Sequence, residues 1–132
     1  MIVDTSAVVA VVYGEAGSSE IVRRILVDPH PRISAANLFE SYMVIDRSGL
    51  PEAEEELEVF LVEVRPVIEP VTPEQVGLAR IAFNRYGKGS GHPARLNFGD
   101  CFAYALARFR DEPLLYIGQD FAATDIESAL PT

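Results

Sequence analysis

The sequence predicts an α/β fold in three layers: a central, mostly parallel sheet of four to five strands with helices on both faces. Short apolar runs such as Met1–Val3 and Leu114–Ile117 stop abruptly at polar residues, as strands buried on both faces do. Segments of helical period separate them without any internal repeat, and that alternation puts connecting helices on either side of a parallel sheet. With 132 residues and 48% apolar side chains, the chain is sized for one domain, residues 1–132, around one core.

Each element follows from local chemistry. Met1-Ile2-Val3 is a buried strand ending at Asp4-Thr5-Ser6. Ala7 to Tyr13 reads as a buried helix, with Thr5 or Ser6 as its N-cap and Gly14 as its stop. Ser19–Val27 is a second helix, on the stripe of Ile21, Val22, Ile25 and Leu26. Arg32–Ser34 is a minimal strand whose Ser34 caps a helix from Ala35 to Ser48 carrying Glu40. Pro51 opens an amphipathic helix, with Ala53, Leu57, Phe60, Leu61 and Val64 inward and a glutamate run outward.

Val67–Val71 is a third strand, which Pro70 ends or confines to an edge. Thr72-Pro73-Glu74-Gln75 combines an N-cap, a first-turn proline and a glutamine three residues past the cap, opening a helix to Tyr86. Gly87–Pro93 has the composition of a flexible loop. It lacks the strand and spacing of a phosphate-binding P-loop. Asn97 caps a deeply apolar helix in which Asp100 occupies the positive first turn. Leu114–Ile117 is the last buried strand, and Asp125-Ile126 is a candidate edge strand.

The net charge of −9 argues against broad electrostatic binding of nucleic acid, so any such contact must be local. Arg85, Lys88 and Arg95 are the candidates for a narrow substrate-binding patch. A single cysteine, Cys101, rules out an internal disulfide framework, fits a reducing cytoplasm and reads as plain core. No apolar run approaches the roughly 20 residues of a membrane span. The expected setting is cytoplasmic, with no membrane association. His30, between prolines, and His92 read as loop residues.

Four acids fall at comparable junctions: Asp4 and Asp120 after apolar strands, Glu40 and Asp100 near helix starts that face the same strand tips. Clustered carboxylates repel, and burying them is costly unless they take up protons or a cation. Oxygen-only ligands select a hard ion, Mg²⁺ or Mn²⁺, over zinc. Such an ion activates a water and neutralises charge in phosphodiester displacement.

The opening Ile2-Val3-Asp4-Thr5-Ser6-Ala7 resembles a known family, as do Ala36-Asn37-Leu38-Phe39-Glu40, Leu96-Asn97-Phe98-Gly99-Asp100-Cys101 and Leu114-Leu115-Tyr116-Ile117-Gly118-Gln119-Asp120-Phe121. Together these blocks look like a PIN domain, specifically a VapC-type toxin ribonuclease, and the resemblance spans nearly the whole chain. It implies a PIN-like fold and a Mg²⁺- or Mn²⁺-dependent endoribonuclease that cuts RNA to leave a 5′-phosphate and a 3′-hydroxyl. It further implies a cognate VapB-like antitoxin as partner and a homodimer.

Carried over by position, the resemblance makes Asp4, Glu40, Asp100 and Asp120 the catalytic and metal-binding acids. Ser6 supports the first aspartate, Asn97 the third, and Asp125 is a helper or substitute for the fourth. Val8, Val9, Val12, Tyr13, Phe39 and Tyr42 are candidates for an antitoxin groove.

Other classes also put an aspartate at a strand tip. A phosphohydrolase of the haloacid dehalogenase type wants a second aspartate where Ser6 stands, and a receiver domain wants a lysine after a late strand, whereas Lys88 is the only lysine. A PIN-like binding module without catalysis is the remaining alternative.

Overall fold

The structure is a computed structural model that describes residues 1–130. Its sheet has four parallel strands, β1 (Ile2–Val3), β2 (Arg32–Ser34), β3 (Val67–Glu69) and β4 (Leu114–Leu115), in the order β3-β2-β1-β4. Chain order runs outward from β1 to β3 on one side, and β4 returns on the other. The reversal therefore lies between β1 and β4, where open α/β sheets leave a crevice beyond the strand tips.

Side chains alternate across this sheet and build two cores. Val3, Ile33 and Leu115 point into one, with α1 (Thr5–Val12), α2 (Ser18–Leu26), α3 (Ala35–Arg47) and α4 (Pro51–Val64). Ile2 and Leu114 point into the other, with α5 (Pro73–Tyr86) and α6 (Phe98–Arg110). That is the expected three-layer arrangement. The central strands β1 and β4 need only two residues each, because these alternate between two buried faces and already reach both cores, whereas Val67 and Ile68 of edge strand β3 are exposed.

Several boundaries differ from the sequence expectation, each for a local reason. α1 begins at Thr5, not Ala7, because Asp4 itself is the N-cap: its carboxylate accepts from the Ser6 amide. β3 ends at Glu69, one residue before Pro70, and lies at the sheet edge. Gln75 does not complete a capping box. Its side-chain amide donates to the Pro70 carbonyl at 3.2 Å, while Thr72 caps α5 alone. β4 stops at Leu115, since the Ile117 amide turns to the Ser6 hydroxyl.

Asp125-Ile126 forms no strand. The additional edge pairing is a single bridge from Ser128 to Leu114, which receives from the Ala129 amide and donates to the Glu127 carbonyl. The Gly87–Pro93 loop is also tied down more than its glycines suggest. Lys88 and Leu96 exchange backbone bonds with Leu96 and Tyr86, and the Ser90 hydroxyl donates to the Gly87 carbonyl.

The glutamates of α4 face solvent, while Ala53, Leu57 and Phe60 are buried beneath them. Buried Glu69 is satisfied by Arg110 at 2.8 Å and Arg32 at 2.6 Å. Among the described residues no helix is long and apolar enough to cross a membrane.

Cys101 is buried on α6 in the second core, and burial, aided by the nearby Asp100 charge, pushes its thiol up to about 11. The thiolate is the reactive form, so native protein is expected to label negligibly with iodoacetamide at mildly alkaline pH, and denatured protein rapidly. Equal labelling rates in the two states would contradict this burial.

A carboxylate cleft at the tips of β1 and β4

Asp4 sits where β1 becomes α1, 3% exposed. One carboxylate oxygen, Oδ2, accepts from the Ser6 amide at 3.0 Å and the Ser6 hydroxyl at 2.6 Å. The other, Oδ1, is buried and has no partner. A buried carboxylate oxygen without a donor is costly, and burial is the largest influence on this group. It pushes Asp4 up to about 7, against the lowering effect of the Ser6 bonds and with the help of the Asp100 and Glu40 charges.

Ser6 also accepts from the Ile117 amide at 3.0 Å, so one hydroxyl links the tips of β1 and β4. That link positions the turn that leads to Asp120.

Asp100 occupies the first turn of α6 in a reciprocal capping box. Its backbone amide donates to Asn97 Oδ1 at 2.9 Å, and its carboxylate accepts from the Asn97 amide at 3.0 Å. Burial raises Asp100 to about 6; the Asn97 bond opposes this, Asp120 and Glu40 add to it, and Lys88 acts to lower it.

Glu40, half-buried on α3, accepts from the Thr5 hydroxyl and from the Asn37 side-chain amide at 3.3 Å. Asp120, exposed, stands just before a short 3-10 turn, Phe121–Ala123. All four acids line one cleft of about 370 Å³, together with Thr5, Ser6, Asn97 and Ile117.

The other expected site residues are placed unevenly. Lys88 lies close enough for its charge to act on Asp100. Arg85 lies over the Tyr86 ring and 3.9 Å from Asp125, away from the cleft lining. Arg95 is exposed with φ 52°, and it too is outside that lining.

Asp125 is not with the four acids. It accepts from the Tyr104 hydroxyl at 2.6 Å and pairs with Arg108 at 3.5 Å, and although burial acts to raise it, these partners hold it below the usual carboxylate range. His92 packs edge-on against Tyr86 and accepts from the Ala94 amide, a structural role. In the candidate antitoxin groove, Val8 and Val12 are core residues, whereas Tyr13 and Phe39 are exposed.

Sequence reasoning missed Thr5, Asn37 and Glu15. Glu15 also lines the cleft. Asn37 stands one helical turn before Glu40, within the block that carries the family resemblance, and that spacing is the signal that could have marked it.

Among the described residues, no three Asp, Glu, His or Cys side chains converge tightly enough to ligate one ion by themselves. The donor set nevertheless suits a small hard cation, since Mg²⁺ keeps several waters and is commonly held through one or two carboxylates. The partnerless Asp4 Oδ1 and the raised Asp4 and Asp100 are the signs of negative charge awaiting compensation.

The PIN domain family model matches residues 1–127. Ribonuclease VapC42 of Mycobacterium tuberculosis is 43% identical over 129 residues, covering 98% of each chain. Ribonuclease VapC28 of the same species is 44% identical over 130 residues, again covering 98% of each. Among solved structures, the Mycobacterium tuberculosis VapC20 toxin, described as cleaving the sarcin-ricin loop, superposes with a TM-score of 0.73 over 98% of each chain at 23% identity. A toxin-antitoxin complex from Klebsiella pneumoniae gives a TM-score of 0.69 at 13% identity, over 94% of this chain and 92% of that one. The two structures bear on the fold, and the sequence relatives carry the assignment: this chain belongs to the PIN-domain family and, within it, to the VapC ribonucleases.

Proposed function

We propose that the cleft is a Mg²⁺-dependent endoribonuclease site, with Mn²⁺ able to substitute, in which Asp4, Glu40, Asp100 and Asp120 hold the ion directly or through its waters. The observation that carries this reading is Asp4 Oδ1: a buried, partnerless carboxylate oxygen in a cleft that Glu40, Asp100 and Asp120 line with it, and Glu15 besides. When bound, the ion supplies a water of lowered pKa and neutralises charge on the scissile phosphate. The chain itself supplies position. Ser6 fixes the Asp4 carboxylate, Thr5 and Asn37 fix Glu40, and the Asn97 capping box fixes Asp100.

The reaction is hydrolysis: water oxygen bonds to phosphorus, the bond from phosphorus to the 3′ oxygen breaks, and that oxygen takes a proton. The products are a 5′-phosphate and a 3′-hydroxyl. All 132 residues work as one cytoplasmic catalytic unit that pairs with a second copy and is neutralised by a VapB-like antitoxin.

The test is cleavage of total cellular RNA by purified protein with Mg²⁺ or Mn²⁺, beside EDTA and an Asp100→Asn variant. Cutting should need the metal and fail in the variant. Identical behaviour of the two folded proteins with every metal tried would remove the catalytic reading and favour a silent binding module.

Lys88, Arg85 and Arg95 are the proposed RNA contacts, and of these Lys88 is the one whose charge acts on Asp100. Lys88→Ala should weaken RNA binding and reduce the slope of log K against log salt by about one. The same change at Arg85 or Arg95 should have a smaller effect. A salt slope unchanged in all three would take them off the substrate path.

A further inference from the structure

Glu40 reaches the cleft from the middle of α3 and is held there by three residues from three different elements. The Thr5 hydroxyl on α1 donates to Glu40 Oε1. Asn37, fully buried one turn earlier on α3, donates from Nδ2 to the same oxygen at 3.3 Å and to the Gly99 carbonyl at 3.0 Å. Acceptors surround Nδ2, while Oδ1 has no partner, which settles the orientation of the amide.

On the opposite side stands Gly99, in the first turn of α6 next to Asp100. Its backbone is not in the left-handed region, so nothing conformational calls for glycine. The reason is spatial: a Cβ there would overlap the Glu40 carboxylate, both oxygens and the carboxyl carbon.

We propose that Gly99 and the Thr5–Asn37 pair are positioning residues, which together form a seat that presses the Glu40 carboxylate against the start of α6 beside Asp100. This rests on the metal-dependent reading above and adds what sets the geometry of its acids. The seat couples three elements: Asn37 ties the α6 carbonyl to α3, Thr5 ties α1 to α3, and the absent side chain of Gly99 leaves the gap that the carboxylate fills.

Glu40 is the flexible partner in that overlap, so Gly99→Ala should expel the carboxylate from its seat and leave the backbone in place. Alanine is a better helix former than glycine, so α6 should survive the change. Thr5→Val removes the hydroxyl at nearly constant shape, and Thr5→Ser restores it.

The experiment is Mn²⁺ titration of the full chain, followed by electron paramagnetic resonance of the free ion, with thermal midpoints and steady-state RNA cleavage measured alongside. Gly99→Ala and Thr5→Val should each weaken Mn²⁺ affinity about 10- to 100-fold, in the range of second-layer substitutions at metal sites. In cleavage, kcat should fall while KM for RNA holds. Thr5→Ser should return close to the parent, and the thermal midpoint of Gly99→Ala should not drop.

Glu40→Gln is the control that separates the two claims. If it weakens Mn²⁺ while Gly99→Ala and Thr5→Val bind like the parent, the seat is refuted and the site stands. If Glu40→Gln itself binds Mn²⁺ like the parent, Glu40 has no place in the metal site and this inference falls with it. Should Gly99→Ala fail to fold, the contrast between Thr5→Val and Thr5→Ser decides: equal affinities overturn the proposal.

Discussion

Asp4→Asn is expected to lower RNA cleavage by at least about 100- to 1000-fold, and at the same time to make the metal-free protein more stable at neutral pH. The two effects share one cause. Asp4 is buried, its Oδ1 has no donor, and its charged form is disfavoured enough to lift it to about 7. An asparagine keeps the acceptor that Ser6 uses and removes the charge that burial penalises. It also removes the anionic oxygen that the ion needs.

A structural aspartate would behave otherwise, because removing a satisfied buried carboxylate destabilises a fold. The check is cleavage together with thermal or urea unfolding in EDTA, for parent and variant. A variant that is less stable than the parent and still cuts RNA would show that Asp4 is only the cap of α1.

How much of this was readable beforehand follows from the range of the interactions. The strands, the Thr72 and Asn97 caps and the apolar stripe of α4 depend on residues within one or two turns, so their signals are local. The four acids could be gathered because Asp4, Asp100 and Asp120 each stand at such a local junction, Glu40 lies within two turns of the Ser34 cap, and strand tips in a parallel sheet converge. The seat of Glu40 was not legible. Thr5 and Asn37 are 32 positions apart, Asn37 and Gly99 are 62 apart, and neither separation leaves any pattern in a single sequence.

Asp125 illustrates the opposite error. It lies close to Asp120 in sequence, but Tyr104 and Arg108, both on α6, capture it. Residues 87–93 do form a loop, as their composition says, but glycine content reports conformational freedom and not the backbone bonds by which Lys88 and Leu96 tie its ends.

The second large effect is a reversal of pH dependence on adding Mg²⁺. Between pH 3.8 and about 7, folded protein keeps a proton on Asp4 that the unfolded chain has released. The native state then binds more protons than the unfolded one, and stability falls as pH rises. Raising Asp4 from 3.8 to about 7 corresponds to roughly 4 kcal/mol lost across that window in the metal-free protein. Asp100, raised to about 6, acts in the same direction and less strongly because it is less buried.

Groups with lowered values, such as Glu69, where Arg110 and Arg32 outweigh burial, act oppositely at the acid end. The fall should therefore be clearest above about pH 5. Metal affinity has the opposite slope, because protons on Asp4 and Asp100 compete with the ion. Apparent Kd for Mg²⁺ should rise about tenfold per unit below pH 7, and more steeply below 6, where two protons must leave.

Thermal midpoints in EDTA and in saturating MgCl₂, measured from about pH 5 to about pH 8, test both slopes together. The two curves should separate progressively as pH rises, with the EDTA curve falling. Parallel curves would mean that the carboxylates at the tips of β1 and β4 do not bind the ion. An EDTA curve that rises across this range would mean that the uncompensated charge on Asp4 is satisfied by something other than a metal.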